Sequence, residues 1–226
     1  MIKKKDTKIR IPFIILIGGK SARFGTDKGI FEYLGKPFIM HQIDVLNRFR
    51  NPIFIVSHSK EQIQNYISKI DYRKITAFIV DDRTMKHDKE IRTPLLGMYS
   101  AFKELIKLGY VKAFLLSCDM PFIQYKIIDL LLKKCKTHDC CIPRWENNNL
   151  EPLFAIYPVK EGYHKAKINL IKKDYKLKSM LDDSWDINYI SIEKKIQPID
   201  KNLLSFININ DLNDIKKIKA ILRKNN

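Results

Sequence analysis

The residues best suited to chemistry fall in one short stretch, Leu16-Ile17-Gly18-Gly19-Lys20-Ser21-Ala22-Arg23-Phe24-Gly25-Thr26-Asp27-Lys28. Five of the chain's eight glycines lie between residues 18 and 35. Glycine tolerates positive φ and carries no Cβ, so backbone N–H groups in such a loop can converge on an anion. Ser21 adds a hydroxyl donor, Arg23 can fork across two phosphate oxygens, and Lys28 adds a point charge. The spacing is neither of the two common phosphate loops. A Walker A loop needs GxxxxGK[ST], and here Gly25 is followed by Thr-Asp-Lys; a dinucleotide fingerprint needs GxGxxG, which Gly18, Gly19 and Gly25 do not provide. A second chemical group stands far along the chain. Asp119 follows the apolar run Ala113–Leu116. A lone carboxylate at a strand end suits Mg²⁺, which takes one or two carboxylates and completes its shell with phosphate oxygens and water. The competing role, an N-cap for the segment after Pro121, fits poorly across Met120-Pro121.

The elements that must position these groups are readable from hydropathy. Residues 11–17 form a continuous Ile-rich apolar run, the mark of a strand covered on both faces. The same signature recurs at 53–57, 75–80 and 112–117. Helical patterns at 37–49, 60–70 and 94–108 separate the runs, with Pro37 and Pro94 placed to open two of them. This alternation predicts an α/β fold with a doubly wound, mostly parallel, Rossmann-like sheet. Beyond Cys118 the pattern changes. A helix is expected at 123–134, then strands at 139–143 and 151–157 flanking the polar turn 145–149, forming an antiparallel excursion or a lid hairpin. Helices are expected at 160–171, 175–181 and 212–223, and a strand at 185–192. No linker or repeat interrupts the sequence, so residues 1–226 read as a single domain.

Composition narrows the partners. The chain has 226 residues, with 42 Lys plus Arg against 25 Asp plus Glu, a formal charge of +17. The excess is spread along the chain and is mostly lysine, 33 against 9 arginines. No basic run interleaved with aromatics supports nucleic-acid binding. The apolar run 11–17 is too short to span a membrane, and no small-residue cleavage site follows it. Cys118, Cys135, Cys140 and Cys141 form no CxxC pair and read as thiols of a cytoplasmic protein.

The stretch Leu16–Lys28 resembles the L-A-G-G-x-S-x-R-M-G-x-D-K signature of sugar-nucleotide-type nucleotidyltransferases, and most closely that of molybdenum cofactor guanylyltransferases. Further blocks agree in order: Gly35-Lys36-Pro37-Phe38, Asp82 followed by Thr93-Pro94-Leu95-Leu96-Gly97, Cys118-Asp119-Met120-Pro121-Phe122, Glu151-Pro152-Leu153-Phe154-Ala155-Ile156-Tyr157, and Phe206-Ile207-Asn208-Ile209-Asn210. The chain departs from the pattern at Ile17, Thr93 and Leu96, which add bulk near the expected base pocket, and His58 or Ser59 stands near a position that is often asparagine.

The resemblance implies transfer of GMP from GTP to the terminal phosphate of molybdenum-molybdopterin, with release of pyrophosphate and Mg²⁺ as cofactor. Arg23, Lys28 and Asp119 would then be catalytic, with Asp119 the metal ligand. Leu16, Ile17, Gly18, Gly19, Ser21, Gly25, Asp82, Pro94, Leu95 and Gly97 would line the nucleotide site. Glu151, Asn208 and Asn210, with Arg144 beside them, would face the acceptor. The nucleotide half would cover about residues 11–125 and the acceptor half about 126–226. Relatives with another base or acceptor are the alternatives: a cytidylyltransferase of the same cofactor or a sugar-phosphate nucleotidyltransferase. A nucleotide-binding module without catalysis is the alternative outside enzymes, and the intact Lys28 and Asp119 argue against it. The oligomeric state is not encoded in any motif.

Overall fold

The computed structural model describes residues 10–18, 27–85, 92–209 and 214–216. The elements run β1 (Phe13–Leu16), β2 (Glu32–Tyr33), β3 (Lys36–Pro37), α1 (Phe38–Asn47), β4 (Ile53–Ser57), α2 (Lys60–Ile67), β5 (Ala77–Val80), α3 (Pro94–Lys107), β6 (Lys112–Ser117), α4 (Tyr125–Lys134), β7 (Cys140–Arg144), β8 (Phe154–Pro158), α5 (Val159–Ile171) and β9 (Ile187–Ser191). Seven strands form one sheet in the order β5-β4-β1-β6-β8-β7-β9. The run β5-β4-β1-β6 is parallel, with Phe13 in register with both Ile53 and Phe114.

β1 is buried on both faces, which is why its sequence does not alternate. Phe13 and Ile15 face a layer built by α1, α2 and α4; Ile14 and Leu16 face α3 and α5. Each such side chain contributes about 1.5–3 kcal/mol of burial, so this four-residue strand is an anchor for both layers. α3 and α5 approach closely at Gly162, where an added Cβ would lie 2.8 Å from Phe102 Cε2.

The second half refines the expectation. β7 and β8 do pair antiparallel around the turn at 145–149, with Cys141 opposite Ile156 and Arg144 opposite Leu150. They are not a lid, because β8 also pairs with β6 over five residues and both strands continue the main sheet. Only β8 runs against the rest, since β9 lies parallel to β7. The helix expected at 175–181 is a single 3₁₀ turn, Leu177–Met180, tied down by a hydrogen bond from Asn169 Nδ2 to Ser179 O at 2.8 Å. Seven residues with one buried anchor cannot sustain an isolated helix. The helix expected at 212–223 lies largely outside the described residues; 214–216 are helical. A hairpin not foreseen from sequence, β2–β3, turns at Leu34 and Gly35, both at positive φ. That two-residue turn is the kind whose twist matches paired strands.

Basic residues gather at the end of the sheet opposite the C-termini of its parallel strands. Lys112 Nζ donates to Cys135 O and His138 O beyond the C-terminus of α4, and the Arg48 guanidinium at the end of α1 lies 4.3 Å from the Tyr125 ring centre. Cations near helix C-termini compensate unpaired carbonyls and the helix dipole.

Candidate active site

The C-terminal ends of the four parallel strands converge on one edge: Leu16-Ile17-Gly18 after β1, His58 after β4, Asp81-Asp82 after β5 and Asp119 after β6. This is where open α/β sheets bind ligands. Gly19, Ser21, Arg23 and Gly25 lie outside the described residues.

Lys28 and Asp119, 91 residues apart in sequence, meet here: Lys28 Nζ lies 3.8 Å from Asp119 Oδ2. The other carboxylate oxygen, Asp119 Oδ1, is buried and accepts no hydrogen bond among the described residues. A buried acceptor without a donor costs about 1–3 kcal/mol. An oxygen left so, beside a cation and at a strand end, has the chemistry of a hard-cation ligand. No group of three or more His, Cys, Asp or Glu side chains that could hold a metal occurs among the described residues. A lone carboxylate oxygen of this kind suits Mg²⁺, which can complete its shell with substrate oxygens and water.

The turn carrying Asp119 is braced from two sides. Gln42, fully buried on α1, donates through Nε2 to Ser117 O at 2.7 Å and Met120 O at 2.9 Å. Ile209 N donates to Asp119 O at 2.9 Å. The latter contact brings the Phe206–Ile209 segment to the site, with Phe206 packed against Phe154 and Trp145 and Asn208 exposed. Asn210 lies outside the described residues. Glu151 enters just before β8, where it accepts from Trp145 Nε1 at 2.7 Å. Burial pushes its carboxyl above the ordinary value, against that hydrogen bond. Arg144, exposed at the end of β7, stacks over Tyr189.

A hollow beside Gly18 is lined by Leu16, Val56, His58, Asp81, Thr93, Pro94 and Gly97. An added Cβ at Gly97 would stand 3.2 Å from Leu16 and 3.7 Å from Asp81 Oδ1, while one at Gly18 would meet nothing. Burial, then the charge of Arg92, lowers the His58 imidazole below its usual value. Its Nδ1 is buried with no hydrogen-bond partner among the described residues.

Three of the expected nucleotide contacts lie apart from the hollow. Asp82 does not face the hollow. Its carboxylate takes Lys103 Nζ at 2.5 Å and Thr84 Oγ1 at 2.6 Å, and Asp81 stands in its place. Ile17 packs into the α1–α2–α4 layer, on the opposite face from the hollow, so it offers only backbone there. Leu95 and Leu96, in the first turn of α3, are buried in the core between that helix and the sheet, so of Ile17, Thr93 and Leu96 only Thr93 lines the hollow. Burial works against Asp82 ionising, but hydrogen bonds from Lys103 and Thr84 outweigh it and hold its pKa down to about 2. Its folded pKa is depressed, so its stabilisation is present at neutral pH and is lost as pH falls through about 4 towards 2. Asp82→Asn is expected to cost about 1–2 kcal/mol at pH 7, reduced by the solvent exposure of Lys103, and only about 0.4 kcal/mol or less at pH 2, where the folded carboxyl is half protonated. Urea denaturation of both proteins across that range checks this; an equal cost at both ends would refute it.

The parallel strands, the glycine loop leaving β1 and the carboxylate leaving β6 define an α/β nucleotidyltransferase. Residues 13–187 match the family model described as a MobA-like NTP transferase domain, and the chain belongs to that family. Two curated relatives named "Probable molybdenum cofactor guanylyltransferase" are similar over nearly the whole chain. The one from Pyrococcus horikoshii is 34% identical over 206 residues, covering 89% of this chain and 95% of its own length. The one from Thermococcus sibiricus is 31% identical over 213 residues, covering 93% and 98%. The crystal structure of molybdopterin-guanine dinucleotide biosynthesis protein A from Archaeoglobus fulgidus has the same fold, with a TM-score of 0.73 at 22% identity, covering 95% of this chain and 100% of that one. Among the described residues no helix is long and apolar enough to cross a membrane.

Proposed function

We propose that the protein transfers GMP from GTP to the terminal phosphate of molybdenum-molybdopterin, releasing pyrophosphate and forming the guanine dinucleotide cofactor. The observation that carries the transfer chemistry is the pairing of Lys28 with Asp119, whose Oδ1 is buried and without a hydrogen-bond donor among the described residues, at the C-terminal edge of the sheet. The names of the relatives supply the base and the acceptor.

Lys28 binds the triphosphate oxygens and stabilises charge as it builds on the departing pyrophosphate. Arg23, Gly19, Ser21 and Gly25 join it through the loop motif. Asp119 would hold Mg²⁺, which supplies Lewis-acid polarisation of phosphate oxygens when bound. Leu16, Gly18, Pro94 and Gly97 border the base and ribose, with Leu95 supporting them from beneath. Asp81 accepts from the ring N–H and amino group of guanine, a pair of donors that adenine and cytosine do not present together. The acceptor's phosphate monoester has a second pKa of about 6 and is mostly dianionic at neutral pH, so no general base is required. The chain's own work is alignment of an in-line attack between two polyanions. The half from about residue 126 onward holds the acceptor, through Glu151, Arg144, Asn208 and Asn210. Reaction in the cytoplasm suits the four buried cysteines, which remain thiols there.

Turnover of molybdenum-molybdopterin with each of the four nucleoside triphosphates tests base and acceptor together. GTP is expected to be preferred, and Asp81→Asn to lower the GTP-over-CTP ratio at least tenfold, because the site loses a matched acceptor. Equal turnover of GTP and CTP by the parent protein would overturn the guanine assignment.

A further inference from the structure

α2 buries one stripe: Gln62, Tyr66 and Ile70 just beyond its end. Two of these three are polar, on a face where packing alone would place aliphatic side chains. Both point at Asp27, the residue before Lys28. Tyr66 OH donates to Asp27 Oδ1 at 2.5 Å, and Gln62 Nε2 donates to Asp27 Oδ2. Asp27 Oδ1 also accepts from Gly29 N at 3.3 Å, capping the 3₁₀ turn Lys28–Ile30 that presents the lysine. The turn rests directly on the tyrosine: a Cβ on Gly29 would come within 2.2 Å of Tyr66 OH.

The glutamine amide has one possible orientation. Nε2 also donates to Ile17 O at 3.0 Å; Oε1 accepts from Ser57 Oγ at 2.8 Å and from His58 N at 3.1 Å. Every donor and acceptor of the amide is used, so the group locks together the end of β1, the end of β4 and the Lys28 turn. Burial raises the Tyr66 phenol far above its usual value, so it remains a donor at all working pH values.

We propose that Gln62 and Tyr66 are positioning residues for nucleotidyl transfer, setting the place of the Lys28 ammonium through Asp27. This rests on the proposed role of Lys28 at the triphosphate. The same amide grips the backbone beside the base hollow, so one side chain sets the spacing between the base end and the phosphate end of the nucleotide.

The test is a double-mutant cycle on kcat and KM for GTP, with thermal melts of every protein. Tyr66→Phe removes one oxygen and keeps the ring. It is expected to lower kcat about tenfold and change KM less than about twofold, since a misplaced cation matters most where charge develops. In a Lys28→Ala background the same change should have almost no effect on kcat. An equal tenfold loss in both backgrounds would show that Tyr66 does not act through Lys28. If that background turns over too slowly to follow, crystal structures of parent and Tyr66→Phe decide: an unmoved Lys28 ammonium overturns the proposal. Undiminished turnover by Lys28→Ala itself would instead defeat the proposed role of Lys28. Gln62→Glu puts a second carboxylate against Asp27. Its activity relative to the parent, which carries the same Asp27, His58 and Tyr66, should rise as pH is lowered and the new acid regains a proton to donate. A loss independent of pH counts against the proposal.

Discussion

Replacing Asp119 with asparagine is expected to lower GTP-dependent pyrophosphate release about a thousandfold or more, the scale of removing a group that meets developing charge. The fold should survive. Asp119 Oδ1 is already a buried oxygen without a donor among the described residues, so a neutral isostere relieves part of that cost while giving up the 3.8 Å contact of Oδ2 with Lys28. The two effects oppose, so the Tm is expected to stay nearly level. Gln42 and Ile209 brace the turn through backbone atoms that the substitution leaves in place. Loss of turnover with an unchanged melt, not restored by excess Mg²⁺ or Mn²⁺, is the expected result. Full activity in Asp119→Asn would remove the metal assignment.

The second large effect is expected from Lys28→Ala: a fall in kcat/KM of about a hundred- to a thousandfold. Lys28 Nζ sits 3.8 Å from Asp119 Oδ2 and its side chain is 17% exposed, so its charge acts in a partly dry environment where it is weakly screened. Loss of the ammonium should also weaken GTP binding, measured by calorimetry without acceptor. Asp119→Asn should affect binding mainly in the presence of the divalent ion. A Lys28→Ala protein that binds and turns over GTP normally would leave the triphosphate without its proposed partner.

The route from sequence to these two residues was short because each stands directly after an apolar run or in a loop of unusual composition. Lys28 and Asp119 could be named without knowing that they meet. Asp81 and Asp82 illustrate the opposite case. Side chains alternate faces along a strand, so a displacement of one residue exchanges the hollow for the ion pair with Lys103. No hydropathy pattern fixes where the last pair of β5 lies, since Asp81 N continues the ladder to Ser57 O beyond the named strand. Gln62 and Tyr66 were hidden for another reason. At i and i+4 they read as an ordinary inner face of a helix, and only the position of Asp27 reveals their partner. The positive charge was legible but uninformative; Lys112 and Arg48 serve helix ends and a ring rather than a ligand.

The reversed strand β8 bears by geometry on the proposed pair of substrates. One continuous sheet joins the end of β1 to the end of β7 through β6 and β8. Neighbouring strands stand about 4.8 Å apart, so the ends of β1 and β7 are separated by roughly 14 Å of hydrogen-bonded sheet, a ruler of fixed length. The close helix contact at Gly162 stiffens the same span from behind. If the proposed donor and acceptor lie along it, they are measured by length: one too short would leave the reacting phosphorus and oxygen apart.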